Sequence, residues 1–82
     1  HMMQLQITNN LSRLPIEIVN EETTTPKELL TKANVNFGTA TISLDGSVLS
    51  PAQLNTPLKE LGCKADTLSY LAAVVKATNA QL

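Results

Sequence analysis

The side chains able to do chemistry in this 82-residue chain are few and scattered. Its one histidine is His1, and His1-Met2 ahead of Met3 reads as a scar left by tag removal, which makes Met3 the expected natural start. Without a histidine elsewhere, metal-assisted hydrolysis and the usual Ser-His or Cys-His nucleophile pairs lose their base. The single cysteine, Cys63, can form neither an internal disulfide nor a CxxC metal or redox pair. A lone thiol fits a reducing cytosol, and its position just after Gly62 predicts a small filler behind a helix end. Glu21-Glu22 lies in a polar stretch and is expected to be solvated, while Asp45 precedes Gly46 and belongs to a turn. Gly38, Gly46 and Gly62 are too far apart for a phosphate-cradling loop. The expectation is therefore a protein that is not an enzyme, with no cofactor and no metal site.

Composition narrows the partners. The chain is 43% hydrophobic and 16% charged with a formal net charge of −1, too apolar for intrinsic disorder and too polar for a membrane span. A near-neutral surface cannot grip phosphates by releasing counterions, and one Tyr with one Phe gives no stacking platform, so nucleic acid is not expected. No apolar run reaches 18 residues and no basic-then-apolar leader is present, which predicts a cytoplasmic chain that binds no membrane.

The elements that must position any binding surface follow from periodicity. Met3, Leu5 and Ile7 alternate with Gln4, Gln6 and Thr8, the pattern of a half-buried strand. Asn9-Asn10-Leu11-Ser12 carries turn chemistry, since Asn tolerates the left-handed conformation. A second strand over residues 14–19 would put Ile16 and Ile18 on one side, at a sheet edge because Pro15 cannot donate to a ladder. Thr25-Pro26-Lys27-Glu28 is a capping box with Pro at the first helical position, predicting a helix over 26–34 with Leu29, Leu30 and Ala33 inward and a Glu28–Lys32 ion pair. Val35 and Phe37 should pack beneath it.

Residues 39–44 read as a third strand with Ile42 and Leu44 inward. Asp45-Gly46 then predicts a tight hairpin turn, with Val48 and Leu49 returning. Ser50-Pro51-Ala52-Gln53 repeats the capping-box logic, and Thr56-Pro57 opens another short helical turn that ends at Gly62. Residues 67–76 form a last strand, apolar on both faces: Leu68, Tyr70, Ala72 and Val74 on one, Leu71, Ala73 and Val75 on the other. Such a strand is central, or presents a docking face.

Hairpin, helix, hairpin, short helix and strand, with the first and last strands parallel, give an α+β fold of the β-grasp kind. The predicted mixed-sheet order is 2-1-5-3-4 with one helix packed across it. The expected core is Leu5, Ile7, Ile16, Ile18, Leu29, Leu30, Ala33, Ile42, Leu44, Leu54, Leu61, Leu68, Tyr70 and Val74. Residues 3–76 make the domain, 77–82 a flexible C-terminal tail and 1–2 the tag remnant.

Three segments carry a resemblance. Leu44-Asp45-Gly46-Ser47-Val48-Leu49, Asn55-Thr56-Pro57-Leu58-Lys59-Glu60-Leu61-Gly62 and Thr67-Leu68-Ser69-Tyr70-Leu71 resemble the third-strand hairpin, the short helix and the last strand of ubiquitin-like domains. More narrowly, the Leu-Asp-Gly turn with Val74-Val75-Lys76-Ala77-Thr78-Asn79-Ala80 resembles bacterial ubiquitin-like proteins encoded in bacterial ubiquitination-like (Bub) operons. The resemblance implies a protein modifier. An activating (adenylating) enzyme and a conjugating enzyme would pass its C-terminal tail to target proteins, after trimming by a processing peptidase. The conjugation tail would be Ala77, Thr78, Asn79, Ala80, Gln81 and Leu82, with the reactive carboxylate between Asn79 and Leu82. Its lack of the diglycine that ends ubiquitin and the sulfur carriers argues against a thiamin- or molybdopterin-type sulfur carrier.

The docking face of the resemblance would comprise Leu11 at the hairpin tip with outward Leu71, Ala73 and Val75, and Ser43 where ubiquitin places an isoleucine. The other reading the residues allow is a non-conjugated β-grasp adaptor, which keeps the docking face and has no use for the tail.

Overall fold

The computed structural model describes residues 1–75. The expectations for the tail, residues 77–82, and for Lys76 at the end of the last strand lie outside the described residues. In chain order the elements are β1 (Met3–Asn9), β2 (Ser12–Arg13), β3 (Glu17–Val19), α1 (Pro26–Lys32), β4 (Ala40–Leu44), β5 (Ser47–Val48), two 3₁₀ turns (Ala52–Asn55 and Leu58–Leu61) and β6 (Leu68–Val75). The sheet runs β2-β1-β6-β4-β5, and β3 also pairs with β1. β1 and β6 are parallel while every other pair is antiparallel. This is the α+β β-grasp arrangement expected from the sequence.

The helix starts as its residues dictate. The Glu28 backbone N–H donates to Thr25 Oγ1 at 3.3 Å, and the Thr25 N–H donates to Glu28 Oε1 at 3.4 Å. Seven residues are too few to be stable alone, so α1 is held by what it buries: Pro26, Leu29 and Leu30. It stops two residues short of the expected end because Asn34 turns left-handed, φ 58°. The Asn34 N–H then reaches the Thr31 carbonyl at 3.1 Å and the Val35 N–H the Leu30 carbonyl at 2.9 Å. That pair of bonds closes the helix and sends Val35 under it, into the core. The expected Glu28–Lys32 pair does not form. Glu28 is engaged at the cap, and Lys32 Nζ pairs instead with Glu17 on β3 at 3.3 Å.

The second strand departs from expectation for a countable reason. Thr8 faces Arg13 across β2, whereas Leu5 faces Glu17 across β3. Between those pairs β1 spends two residues and its neighbour three, so Leu14, Pro15 and Ile16 contain a bulge. Gln6 Nε2 donates to the Leu14 carbonyl there at 3.2 Å. One extra residue reverses the parity that follows, because side chains alternate with period two. Glu17 and Val19 therefore turn to the helix side, and the expected core residues Ile16 and Ile18 are exposed.

The core lies between α1 and one face of the sheet. Leu5, Ile7, Leu29, Leu30, Ile42 and Leu44 are buried as expected, and Ala33, Leu54 and Leu61 pack against them half-buried. Met3, Val35, Leu58, Cys63, Leu71 and Ala73 complete it; Val35 packs under the helix as expected, whereas Leu71 and Ala73 were expected on the surface. Tyr70 and Val74, expected inside, are 50% and 52% exposed, and Leu68, expected with them, is only half-buried on that same side of β6. Among the described residues no helix is long and apolar enough to cross a membrane.

Candidate functional site: the open face of the sheet

The helix covers one face of the sheet, and the register fixes what the other face displays. Gln4 lies between Ile18 and Leu68, and Gln6 lies beside Tyr70. Thr8 sits between Arg13 and Ala72, and that row continues through Ser43 to Val48. Thr41 stands beside Val74. Ile18, Val48, Tyr70 and Val74 all stand half or more exposed on this face. Among the described residues that these strands direct there, Arg13 alone is charged. An apolar stripe along the central strand is thus flanked by Gln, Thr and Ser and left uncovered by any described element.

The expected docking residues divide. Leu11 stands at the β1–β2 tip, 98% exposed, and Val75 is exposed at the end of β6. Ser43 is half-buried on the open face. Leu71 and Ala73 are a correction: at 0% and 1% exposure they are core, not surface. β6 is apolar at both parities, so its own periodicity could not say which face turns inward. Its neighbours decide. In the parallel register with β1, Leu71 pairs with Ile7, and in the antiparallel register with β4, Leu71 pairs with Leu44 and Ala73 with Ile42, all residues of the helix side. The unambiguous alternation of Met3, Leu5 and Ile7, carried across that register, was the available signal. It exchanges the surface set to Tyr70, Ala72 and Val74.

Two side chains hold β6 to the hairpin tips beside it. Asp45, at φ 48°, donates its N–H to the Tyr70 carbonyl at 2.9 Å and accepts the Tyr70 N–H on Oδ1 at 2.8 Å. Asn10, at φ 55°, donates its N–H to the Ala73 carbonyl at 2.7 Å and accepts the Val75 N–H on Oδ1 at 3.0 Å. Short polar side chains that tolerate positive φ are what such positions require.

The remaining chemical groups assemble no reacting constellation among the described residues. Burial pushes the Cys63 thiol up from its ordinary value, partly offset by a hydrogen bond from Ser69, with Asp45 and Glu21 adding to the rise. That thiol is buried and free, the filler behind Gly62 that its position suggested. Glu21 corrects an expectation: it is 3% exposed rather than solvated, and its Oε1 has no hydrogen-bond partner. Its carbonyl anchors the Lys59 N–H at 2.9 Å, which draws the residue in over the second 3₁₀ turn. Glu22 does stay exposed and pairs with Lys59 at 3.6 Å. The His1 ring and the Glu21 and Glu22 carboxylates fall within 4.8 Å of one another, a grouping of two exposed residues with one buried one that holds no further ligand among the described residues.

Comparison with known proteins bears on the fold. No protein-family model and no curated protein matches the chain. Solved structures do. The ubiquitin-like domain of an Arabidopsis thaliana protein aligns at 18% identity with TM-score 0.65, over 95% of this chain and 81% of that one. A ubiquitin-like protein from Trypanosoma brucei aligns at 18% identity with TM-score 0.61, over 93% and 96%. A ubiquitin-like protein from the hyperthermophilic archaeon Caldiarchaeum subterraneum aligns at 14% identity with TM-score 0.54, over 94% and 100%.

The fold is ubiquitin-like. At these identities the likeness concerns the backbone, and what the ubiquitin-like fold does in this chain has to be read from its surface.

Proposed function

We propose that this chain is a ubiquitin-like protein modifier of a bacterial ubiquitination-like pathway, acting in the cytoplasm as the passenger of its enzymes rather than as a catalyst. The C-terminal carboxylate attacks ATP in an activating enzyme to give an acyl adenylate and pyrophosphate. An enzyme thiol then displaces AMP to form a thioester. A conjugating-enzyme thiol takes the acyl group by thioester exchange, releasing the first thiol, and an amine or hydroxyl of a target protein then displaces it, leaving an amide or ester. A processing peptidase trims the tail beforehand, leaving the reactive carboxylate on a residue between Asn79 and Leu82.

The observation that supports this reading is the course of β6. The central strand of the sheet carries Tyr70, Ala72 and Val74 across the open face and leads directly toward the tail, so one element serves both recognition and delivery. Incubation with the cognate activating enzyme, ATP and Mg²⁺ tests it. A modifier gives an adduct that migrates with the enzyme and is released by a thiol reductant; no such adduct refutes the reading.

A non-conjugated adaptor is the second reading, favoured by the tail's lack of diglycine. It would use the same face, and shortening the tail would leave its partner binding unchanged.

A further inference from the structure

We infer that Asn10 is a positioning residue for the C-terminal segment, fastening the root of the tail to the exposed tip that carries Leu11. The inference rests on the modifier reading for its enzymatic consequence, while the fastening itself stands on the geometry.

β6 outruns its parallel neighbour. The last β1–β6 pair is Asn9 with Ala73, after which β1 turns away into the Asn10-Leu11 loop. On its other side β6 is still paired, Val74 with Thr41 and Val75 with Ala40. Without a substitute, the β6 backbone on the β1 side would face water from there on. Asn10 is the substitute: its N–H takes the Ala73 carbonyl, and its Oδ1 takes the Val75 N–H. One residue, by its backbone N–H and then by a side-chain oxygen 65 residues away in sequence from its partner, thus carries the bonding on to the last described residue before the tail.

The consequence is a fixed distance and direction between two exposed features. Leu11 follows Asn10 immediately and is nearly fully exposed, and Val74 and Val75 stand exposed where β6 ends. These apolar side chains contribute little to the core, so they do not hold the strand end down themselves. A tail that must enter a narrow enzyme cleft while its body docks elsewhere gains from a root that does not fray, because orientation paid before binding need not be paid during it.

Asn10→Gly isolates the role. Glycine keeps the positive φ and the N–H to Ala73, and deletes the Oδ1 acceptor alone. Asn10→Asp keeps the acceptor and tolerates the same φ. Asp45→Gly removes the equivalent acceptor at the far hairpin and controls for general loosening of the sheet. Amide exchange of Val75, followed by NMR on the full chain, should quicken about fivefold or more in Asn10→Gly and return toward wild type in Asn10→Asp. In single-turnover loading of the activating enzyme, Asn10→Gly should lower the rate at saturating modifier about fivefold, with Asn10→Asp restoring it and Asp45→Gly lowering it clearly less.

Unchanged Val75 exchange in Asn10→Gly overturns the fastening. Equal loss of loading in Asp45→Gly overturns the positioning role. If wild-type chain is not loaded at all, the modifier reading fails and the positioning role with it, while the exchange measurement still decides the fastening.

Discussion

Asp45 binds both backbone groups of Tyr70: its N–H donates to the Tyr70 carbonyl at 2.9 Å and its Oδ1 accepts the Tyr70 N–H at 2.8 Å. The pair sits one step beyond Leu44–Leu71, the end of the β4–β6 ladder, and locks that register. Register is what decides which side of β6 meets the helix. A slip by one residue would put Tyr70 inside and Leu71 outside.

Asp45→Ala should therefore cost about 1–2 kcal/mol. It loses the side-chain acceptor and places an L-residue with no local compensation at positive φ. Asp45→Asn, which keeps both properties, should cost well under half as much. Urea unfolding of the two variants beside wild type measures the difference.

The two parities of β6 make opposite predictions. Leu71→Ala opens a cavity against Ile7 and Leu44 and should cost about 2–5 kcal/mol. Tyr70→Ser removes a half-exposed ring from the open face and should shift stability by about 0.5 kcal/mol. Thermal melts of both variants check the assignment, and a reversed ranking would mean that the register given above is wrong.

Much of this architecture was legible in advance, because local chemistry leaves few choices. Thr25 with Glu28, Ser50 with Gln53 and Asp45 with Gly46 each form the cap or turn that their types require. The hidden parts depend on counting across strands. Pro15 was expected to mark an edge, but the extra residue beside it, which turned Ile16 and Ile18 outward, shows only against the partner strand. β6 offered two apolar faces, so Leu71 and Ala73 were read as surface when they are core. Nothing in local periodicity separates such alternatives, since both satisfy the same pattern.

Cys63 should behave as a protected thiol. Its folded pKa is raised, so at pH 8 the native chain holds less thiolate than a free cysteine and reacts more slowly with iodoacetamide. The sign for stability follows. The folded state keeps its proton longer than the unfolded state, so the contribution is complete below the unfolded pKa of about 8.5 and is lost as pH rises beyond it. Alkylation timed with and without urea, and unfolding measured between pH 7 and 10, test the two statements.

The helix start gives an independent check on energetics. Thr25→Ala removes one half of the capping box and should cost about 0.5–2 kcal/mol, while Thr25→Ser should be nearly silent. Far-UV circular dichroism during denaturant titration reads both.

The modifier proposal meets its most direct test in cells that carry the chain beside its native neighbouring genes, by tandem mass spectrometry of the proteins joined to it. Peptides should appear in which a residue between Asn79 and Leu82 is linked by an amide or ester to a side chain of another protein, and a chain lacking residues 79–82 should fold normally yet form none. Recovery of the chain only in free form, with the shortened variant still supporting whatever the intact chain supports, would contradict the proposal and leave the open face to an adaptor.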